Sequence, residues 1–96
     1  MGYRLTRRAE ADLTRIFSRS YNVFGPIQAE RYRDSLMACC DLLGDNPGMG
    51  RPVPIRQRLR RHEHGRHVIF YRQDGDGILV LAVLHQRQIH DLERIR

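Results

Sequence analysis

The sequence predicts a small α+β domain with the element order β-α-α-β-β-β, in which an N-terminal helical hairpin packs on one face of an antiparallel sheet. Two amphipathic helical patterns separated by Gly25-Pro26 fill the first half of the chain. Two strands dense in Val, Ile, Leu and aromatic residues flank an Asp-Gly turn in the second half. Because the chain has 96 residues, 41% hydrophobic and 29% charged, we expect residues 1–96 to form one domain.

The first strand and the two helices account for the N-terminal half. Tyr3 to Thr6 has the alternation of a short strand, and Thr6 also suits the cap of the helix that follows. Apolar residues three and four apart predict a helix from about Arg7 to Phe24. Pro26 predicts the start of a second helix, since its missing N–H would be unpaired in a first turn. This helix is expected to end at the breakers Gly44, Asn46 and Pro47.

The C-terminal half reads as a loop followed by strands. Asn46 to Ile55 contains three prolines and two glycines and therefore predicts a loop. Arg56 to Glu63 predicts a basic edge strand, because Leu59 is its one large apolar residue. His67 to Arg72 and Ile78 to Leu84 predict a hairpin around Asp74-Gly75-Asp76-Gly77, and a short tail, helical or irregular, follows from Arg87.

The hairpin register predicts that both faces of the sheet are apolar. Centred on Gly75-Asp76, one face carries the pairs Arg72–Leu79, Phe70–Leu81 and Val68–Val83. The other face carries Tyr71–Val80, Ile69–Ala82 and His67–Leu84. Because one helical hairpin covers one face only, we expect a second polypeptide to lie across the other.

The basic residues are the main candidates for binding. The net charge is +6 and all 17 basic residues are arginine, so a lysine base or Schiff-base nucleophile is excluded. Arg56, Arg58 and Arg60 alternate along one face of the predicted edge strand, with Arg61 opposite and Arg66 shortly after. This pattern is typical either of a phosphate-binding stripe or of a solvated edge strand that resists pairing. The predicted partner- or target-binding residues are Arg56, Arg58, Arg60, Arg61, Arg66 and Arg87.

The histidines and cysteines predict neither a metal site nor a cofactor. His62 and His64 lie two residues apart, but no third ligand is spaced to join them. Cys39 and Cys40 are adjacent in a helical pattern and are expected to be small core residues of a reduced, cytoplasmic protein. In the register above, His85 comes opposite Arg66, where it would act as a general base or, alternatively, end the strand with a hydrogen bond to the backbone.

Several segments resemble the ParE toxins of the RelE/ParE superfamily, over nearly the whole chain and in the same order. They are Arg4-Leu5-Thr6-x-x-Ala9-x-x-Asp12-Leu13-x-x-Ile16, Gly25-x-x-Gln28-Ala29-Glu30-x-Tyr32, Asn46-Pro47-Gly48-Met49-Gly50-Arg51-Pro52, Gly65-x-His67-Val68-Ile69-Phe70-Tyr71-Arg72 and Val83-Leu84-His85-Gln86-Arg87. The chain departs from the family in its tail, where Gln88-Ile89-His90-Asp91 replaces a frequent Met-Asp.

The resemblance implies the toxin of a type II toxin-antitoxin system, which inhibits DNA gyrase by binding and has no enzymatic activity of its own. It implies a ParD-type antitoxin as partner, in a complex of two toxins with two or more antitoxins. The antitoxin tail, commonly acidic and amphipathic, would fold onto the toxin. Operator DNA would be bound only through the antitoxin, and the protein would be cytoplasmic, without a membrane role.

Two alternatives stay open at this point. The RelE branch of the superfamily cleaves messenger RNA in the ribosome without a metal, and here His85, Arg66 and Arg87 would be its catalytic candidates. Against this, the lysines and the late tyrosine on which such enzymes usually rely are missing from the sequence. The other alternative is a degenerate, non-toxic module that only binds the antitoxin.

Overall fold

The structure, a computed structural model, describes residues 2–89, so the predictions for His90 and the rest of the tail lie outside the described residues. Two helices pack on a five-stranded mixed sheet, which confirms the predicted fold class. The elements are β1 (Tyr3–Leu5), α1 (Arg7–Phe24), α2 (Pro26–Asp45), β2 (Arg51–Pro52), β3 (Arg60–His64), β4 (His67–Asp74), β5 (Gly77–His85) and a 3-10 turn (Gln86–Gln88).

Local sequence signals explain both helices. The Thr6 hydroxyl accepts a hydrogen bond from the Ala9 N–H at 3.0 Å and so caps α1. Gly25 ends α1 with a φ of 87°, a conformation that favours glycine, and its N–H donates to the Tyr21 carbonyl at 2.9 Å. Pro26 then begins α2 as predicted, so the two helices are joined by one residue.

The strand order is β1-β5-β4-β3-β2, and β1 pairs with β5 in parallel. The prediction of a wholly antiparallel sheet is therefore wrong for β1, although all other neighbours are antiparallel. The reason is the two-residue strand β2, which lies inside the segment predicted as loop. If each element runs opposite to the one before it, odd-numbered elements share one direction. With β2 added, β5 becomes the seventh element and therefore runs in the same direction as β1, the first.

The basic strand is shorter than predicted. It begins at Arg60 instead of Arg56, because the preceding residues form turns closed by hydrogen bonds from the Val53 N–H to the Leu59 carbonyl and from the Leu59 N–H to the Arg56 carbonyl. Arg58 lies within these turns with a φ of 67°. Arg56, Arg58 and Arg60 therefore do not alternate along one strand face.

A bulge in β5 changes the predicted hairpin register. The pairing follows the prediction as far as Tyr71–Val80, but Phe70 then lies opposite Ala82 instead of Leu81. Leu81 is the extra residue, so every later pair is shifted by one position. The Thr6 hydroxyl donates to the Leu81 carbonyl at 3.1 Å, and the Asp12 carboxylate accepts from the Val83 N–H at 3.0 Å. Side chains of β1 and α1 thus stabilise the bulge.

The sheet has an apolar cluster on each face. The helix-facing cluster contains the β4 and β5 residues Ile69, Tyr71, Ile78, Val80 and Val83, together with Ala9, Leu36, Cys40 and Leu43 from the helices. The far-face cluster is Val68, Phe70, Ala82 and Leu84. The prediction that both faces are apolar is confirmed, but the bulge moves Val83 to the helix side and Ala82 and Leu84 to the far side.

The expectation that a second chain must cover the far face is wrong. The four far-face residues are at most 8% exposed in the chain alone. Val53 and Leu59 from the turns before β3, and Ile89 after the 3-10 turn, pack against them. Because the loop folds back over the sheet, a buried far face by itself carries no argument for a partner.

Candidate partner-binding surface

The sheet separates two neighbouring arginines of the predicted set. Arg61 pairs with Phe70 on β4 and therefore lies on the far face, where its Cζ is 5.7 Å from the centre of the Phe70 ring. Arg60 pairs with Tyr71 and lies on the helix side, where its Nη1 donates to the Gly50 carbonyl at 2.6 Å. These two predicted binding residues consequently have different surroundings, and Arg60 is engaged within the chain.

Arg61 has an unsatisfied donor. Its Nε atom is buried and has no hydrogen-bond partner among residues 2–89. An unpaired buried N–H costs about 1–3 kcal/mol, so a turn of the Arg61 side chain that exposed its guanidinium to an acceptor on another molecule would be favourable. A carboxylate is such an acceptor, since it pairs with a guanidinium through charge-assisted hydrogen bonds.

Two other far-face arginines, Arg4 and Arg51, are paired with acidic residues of the chain. The Arg51 Nη2 lies 2.9 Å from the Glu63 Oε2, and Arg4 forms an ion pair with Asp74. The hydrogen bond from Arg4, with the charge of Arg72 as a smaller cause, lowers the pKa of Asp74 below its ordinary value. Arg61 differs from Arg4 and Arg51 because no ion pair joins it to an acidic residue within the described part of the chain.

The remaining predicted arginines lie at opposite ends of β3. Arg56 and Arg58 are exposed in the turns before it, whereas Arg66 is exposed in the turn after it. The Gln86 N–H donates to the Arg66 carbonyl at 3.0 Å, which brings Arg66 beside the 3-10 turn that carries exposed Arg87. The predicted set therefore forms two exposed pairs, the helix-side Arg60 and the far-face Arg61, instead of one continuous stripe.

A tyrosine-histidine cluster beneath α2 was not predicted from the sequence. The Tyr32 hydroxyl lies 2.6 Å from the His67 Nδ1, and the Ser35 Oγ lies 2.9 Å from the His64 Nε2. The ring of His67 meets that of His85 edge-on, with 5.3 Å between the ring centres. The turn at Gly65 could have predicted from the sequence that His64 pairs with His67. The bulge that places His85 opposite His67 has no comparable signal in the sequence.

Burial shifts the pKa values of His67, His64 and Tyr32. It lowers the pKa of His67 to about 4, with smaller contributions from the charges of His85 and His64. Burial also lowers the pKa of His64, and the charge of His62 acts in the same direction. The pKa of the Tyr32 hydroxyl is raised by burial, an effect that the backbone N–H and charge of Arg66 oppose.

His85 ends the strand and caps the turn that follows. Its Nδ1 accepts from the Arg87 N–H at 3.1 Å, and its own N–H donates to the Gln88 Oε1 at 2.9 Å. The alternative in which His85 bonds the backbone is thus confirmed, whereas its placement opposite Arg66 is wrong, because the bulge puts it opposite His67. His85 and the far-face Arg61 lie on opposite sides of the sheet.

The turn before β2 is held by a core tyrosine. Tyr71 is fully buried, and its hydroxyl accepts from the Gly50 N–H at 2.8 Å and donates to the Pro47 carbonyl at 2.9 Å. A Cβ at position 50 would lie 2.4 Å from that hydroxyl, so only glycine fits. The contact positions the loop that leads to Arg51 and the basic turns.

The cysteines and acidic residues show no metal site between residues 2 and 89, where no group of three or more His, Cys, Asp or Glu side chains could hold an ion. Cys40 belongs to the helix-facing cluster and Cys39 packs against it, which confirms their predicted core placement. Burial raises the pKa of the Cys40 thiol to about 12.

Neither helix is long and apolar enough to cross a membrane, as judged over the described range.

Comparison with known proteins matches residues 3–90 to the family described as "ParE toxin of type II toxin-antitoxin system, parDE". The chain is 42% identical over 85 residues to "Toxin ParE1" of Caulobacter vibrioides, covering 88% of each chain. It is 38% identical over 94 residues to "Toxin ParE1" of Mycobacterium tuberculosis, covering 96% of this chain and 94% of that one.

Two solved structures are similar in fold. One, from the chromosomal ParDE TA system of P. aeruginosa, has a TM-score of 0.74 and 26% identity, covering 88% of this chain and 95% of that one. The other, from a RelB-RelE antitoxin-toxin complex of Methanococcus jannaschii, has a TM-score of 0.58 and 21% identity, covering 93% and 96%. At that identity the second similarity shows the fold alone.

Proposed function

We propose that this chain, which belongs to the ParE toxin family of type II toxin-antitoxin systems, inhibits DNA gyrase by binding and is neutralised by a cognate ParD-type antitoxin. The protein acts in the cytoplasm as a binding protein without catalysis. Two toxins combine with two or more antitoxins, and the complex contacts operator DNA through the antitoxin alone.

The observation that carries the proposal is that His85, the acid-base candidate of the endonuclease alternative, is already engaged within its own chain. Cleavage of RNA needs a base, an acid and a cation around one phosphate. Arg66 and Arg87 lie beside His85 and could supply the cation, but the ring of His85 packs edge-on against that of half-buried His67. His85 also uses its Nδ1 as an acceptor within the 3-10 turn. This arrangement supports binding over the endonuclease alternative.

The unsatisfied Arg61 and the net charge of +6 support an acidic antitoxin segment as the partner of the far face. Replacing Arg61 by Met keeps the length of the side chain and removes its charge. We expect the antitoxin affinity to fall about tenfold, since a charge-assisted hydrogen bond contributes about 1.5–3 kcal/mol. Arg7→Met, which removes one exposed arginine from the first turn of α1, is the matched control and should leave the affinity unchanged.

The activity itself is tested with purified toxin and gyrase in a supercoiling assay. We expect inhibition that the antitoxin reverses, and the same inhibition by His85→Asn, because the asparagine oxygen still accepts from the Arg87 N–H while the imidazole is lost. Intact supercoiling together with cutting of ribosome-bound message would establish the endonuclease alternative. Normal growth after induction without antitoxin would establish the non-toxic module.

A further inference from the structure

The tip of the helical hairpin exposes a patch of large apolar side chains. This tip patch consists of Tyr21, Val23, Phe24 and Ile27, whose exposed fractions are 48%, 60%, 63% and 67%. The four residues surround the one-residue link at Gly25. None of the residues from 17 to 28 belongs to either apolar cluster of the sheet, so the patch does not contribute to the core.

The tip also lacks charge. Residues 20–29 form a run of ten without a formally charged side chain, in a protein of which 29% of residues are charged. The other run of this length, residues 77–86, contains the buried strand β5 and is explained by the core. Contiguous exposed apolar surface of this kind marks interaction sites, whereas single exposed apolar residues need no explanation.

Charge distinguishes the candidate occupants of the tip patch. An acidic antitoxin segment is complementary to the arginines around the sheet and gains no ion pairs at an uncharged tip. A second copy would bring together two net charges of +6, and exposed Arg19 and Arg31 beside the patch outnumber the one exposed acidic residue there, Glu30. An uncharged apolar surface on a third protein meets neither difficulty.

We propose that the tip patch binds an uncharged, apolar surface of the toxin's protein target, at a site separate from the antitoxin-binding arginines. The inference rests on the proposed function, in which that target is gyrase. Phe24 and Ile27 project from the last turn of α1 and the first turn of α2 and are its central contact residues. Apolar anchors that become buried in a partner typically carry most of a binding energy.

The test compares the double variant Phe24→Ser/Ile27→Ser with the control Leu42→Ser. Leu42 is also a large apolar residue and is 50% exposed, but it lies at the opposite end of α2. For each protein, gyrase inhibition, antitoxin affinity and sedimentation velocity are measured. We expect the double variant to lose inhibition roughly tenfold or more while the control retains it. Both variants should bind the antitoxin as the wild type does, which also shows that they are folded.

Four results would overturn the inference. Unchanged inhibition by the double variant removes the tip from the target interface while leaving the proposed function intact. A loss of antitoxin affinity confined to the double variant makes the tip an antitoxin site, and a wild-type dimer that this variant dissociates makes it a self-association site. Failure of the wild-type protein to inhibit gyrase refutes the proposed function itself, and the inference with it.

Discussion

Asp12 should be among the most destabilising positions to truncate, because it is a buried acidic residue on α1. The residue is 1% exposed, and its Oδ2 accepts from the Val83 N–H at 3.0 Å. Its Oδ1 accepts from Arg15, and the Arg8 Nε lies 3.7 Å from Oδ2. This carboxylate therefore satisfies a backbone donor close to the bulge in β5.

The cost of Asp12→Ala follows from these contacts. A hydrogen bond to a charged acceptor contributes about 1.5–3 kcal/mol, and a buried N–H left without an acceptor is the larger part of the loss. Arg8 and Arg15 are more than half exposed, so each ion pair adds at most about 1 kcal/mol. We expect the free energy of unfolding to fall by about 3–4 kcal/mol. That is a large part of the roughly 5–14 kcal/mol typical of a domain of this size.

Urea unfolding followed by circular dichroism measures this loss, with Asp12→Asn and Glu10→Ala as controls. Asparagine keeps an acceptor for Val83 and should lose about 1–2 kcal/mol, since the ion pairs alone disappear. Glu10 is exposed on the same helix, and its replacement should change stability by less than about 0.5 kcal/mol. A loss below about 1 kcal/mol for Asp12→Ala would refute the idea that this carboxylate holds the bulge.

Three further predictions concern buried polar groups. Because His67 has a pKa of about 4 in the folded protein against 6.5 unfolded, the unfolded state binds more protons between these values, so stability should fall as the pH drops through this window. The full pKa shift corresponds to at most about 3 kcal/mol of stability, and because the ring is only half-buried we expect about 1–2 kcal/mol. Urea unfolding at several pH values across this window measures the loss. His67→Gln should make the stability nearly independent of pH there. Tyr71→Phe leaves the Gly50 N–H and the Pro47 carbonyl without their partner and should cost about 1–3 kcal/mol, whereas an unchanged unfolding midpoint would contradict the role given to this hydroxyl. Cys40, with its thiol pKa raised to about 12, should react with iodoacetamide in urea but hardly at all when folded, and equal rates in the two states would contradict its burial.

The parts of the fold that the sequence predicts correctly depend on local signals. Helix α1 begins at Arg7 and ends at Phe24 because Thr6 caps one end and Gly25 terminates the other. Helix α2 begins at Pro26 for an equally local reason. The tight turn at Gly75 likewise fixes the first pairs of the β4–β5 hairpin.

The sequence named candidate arginines, whose binding role stays a prediction, but it did not give their arrangement. The structure shows that β3 begins at Arg60, so Arg56 and Arg58 belong to the turns before it. The sequence did not predict this boundary. The opposite orientations of Arg60 and Arg61 follow from the alternation of a strand once that boundary is known. The cluster of Tyr32, His64 and His67 joins a helix to the sheet, and such contacts between distant segments leave no periodic pattern in a sequence.

By itself, the order of amino acids determined the helices and the hairpin turn, because these depend on neighbouring residues. It also determined the family, which depends on sequence motifs. Tertiary structure alone decided the parallel direction of β1, the shift at Leu81 and the coverage of the far face by Val53, Leu59 and Ile89. Each of these depends on which backbone groups and apolar surfaces meet in space. A single extra residue in a strand reverses the faces of all that follow, and what compensates for it, here Thr6 and Asp12, lies about 70 residues away in the chain.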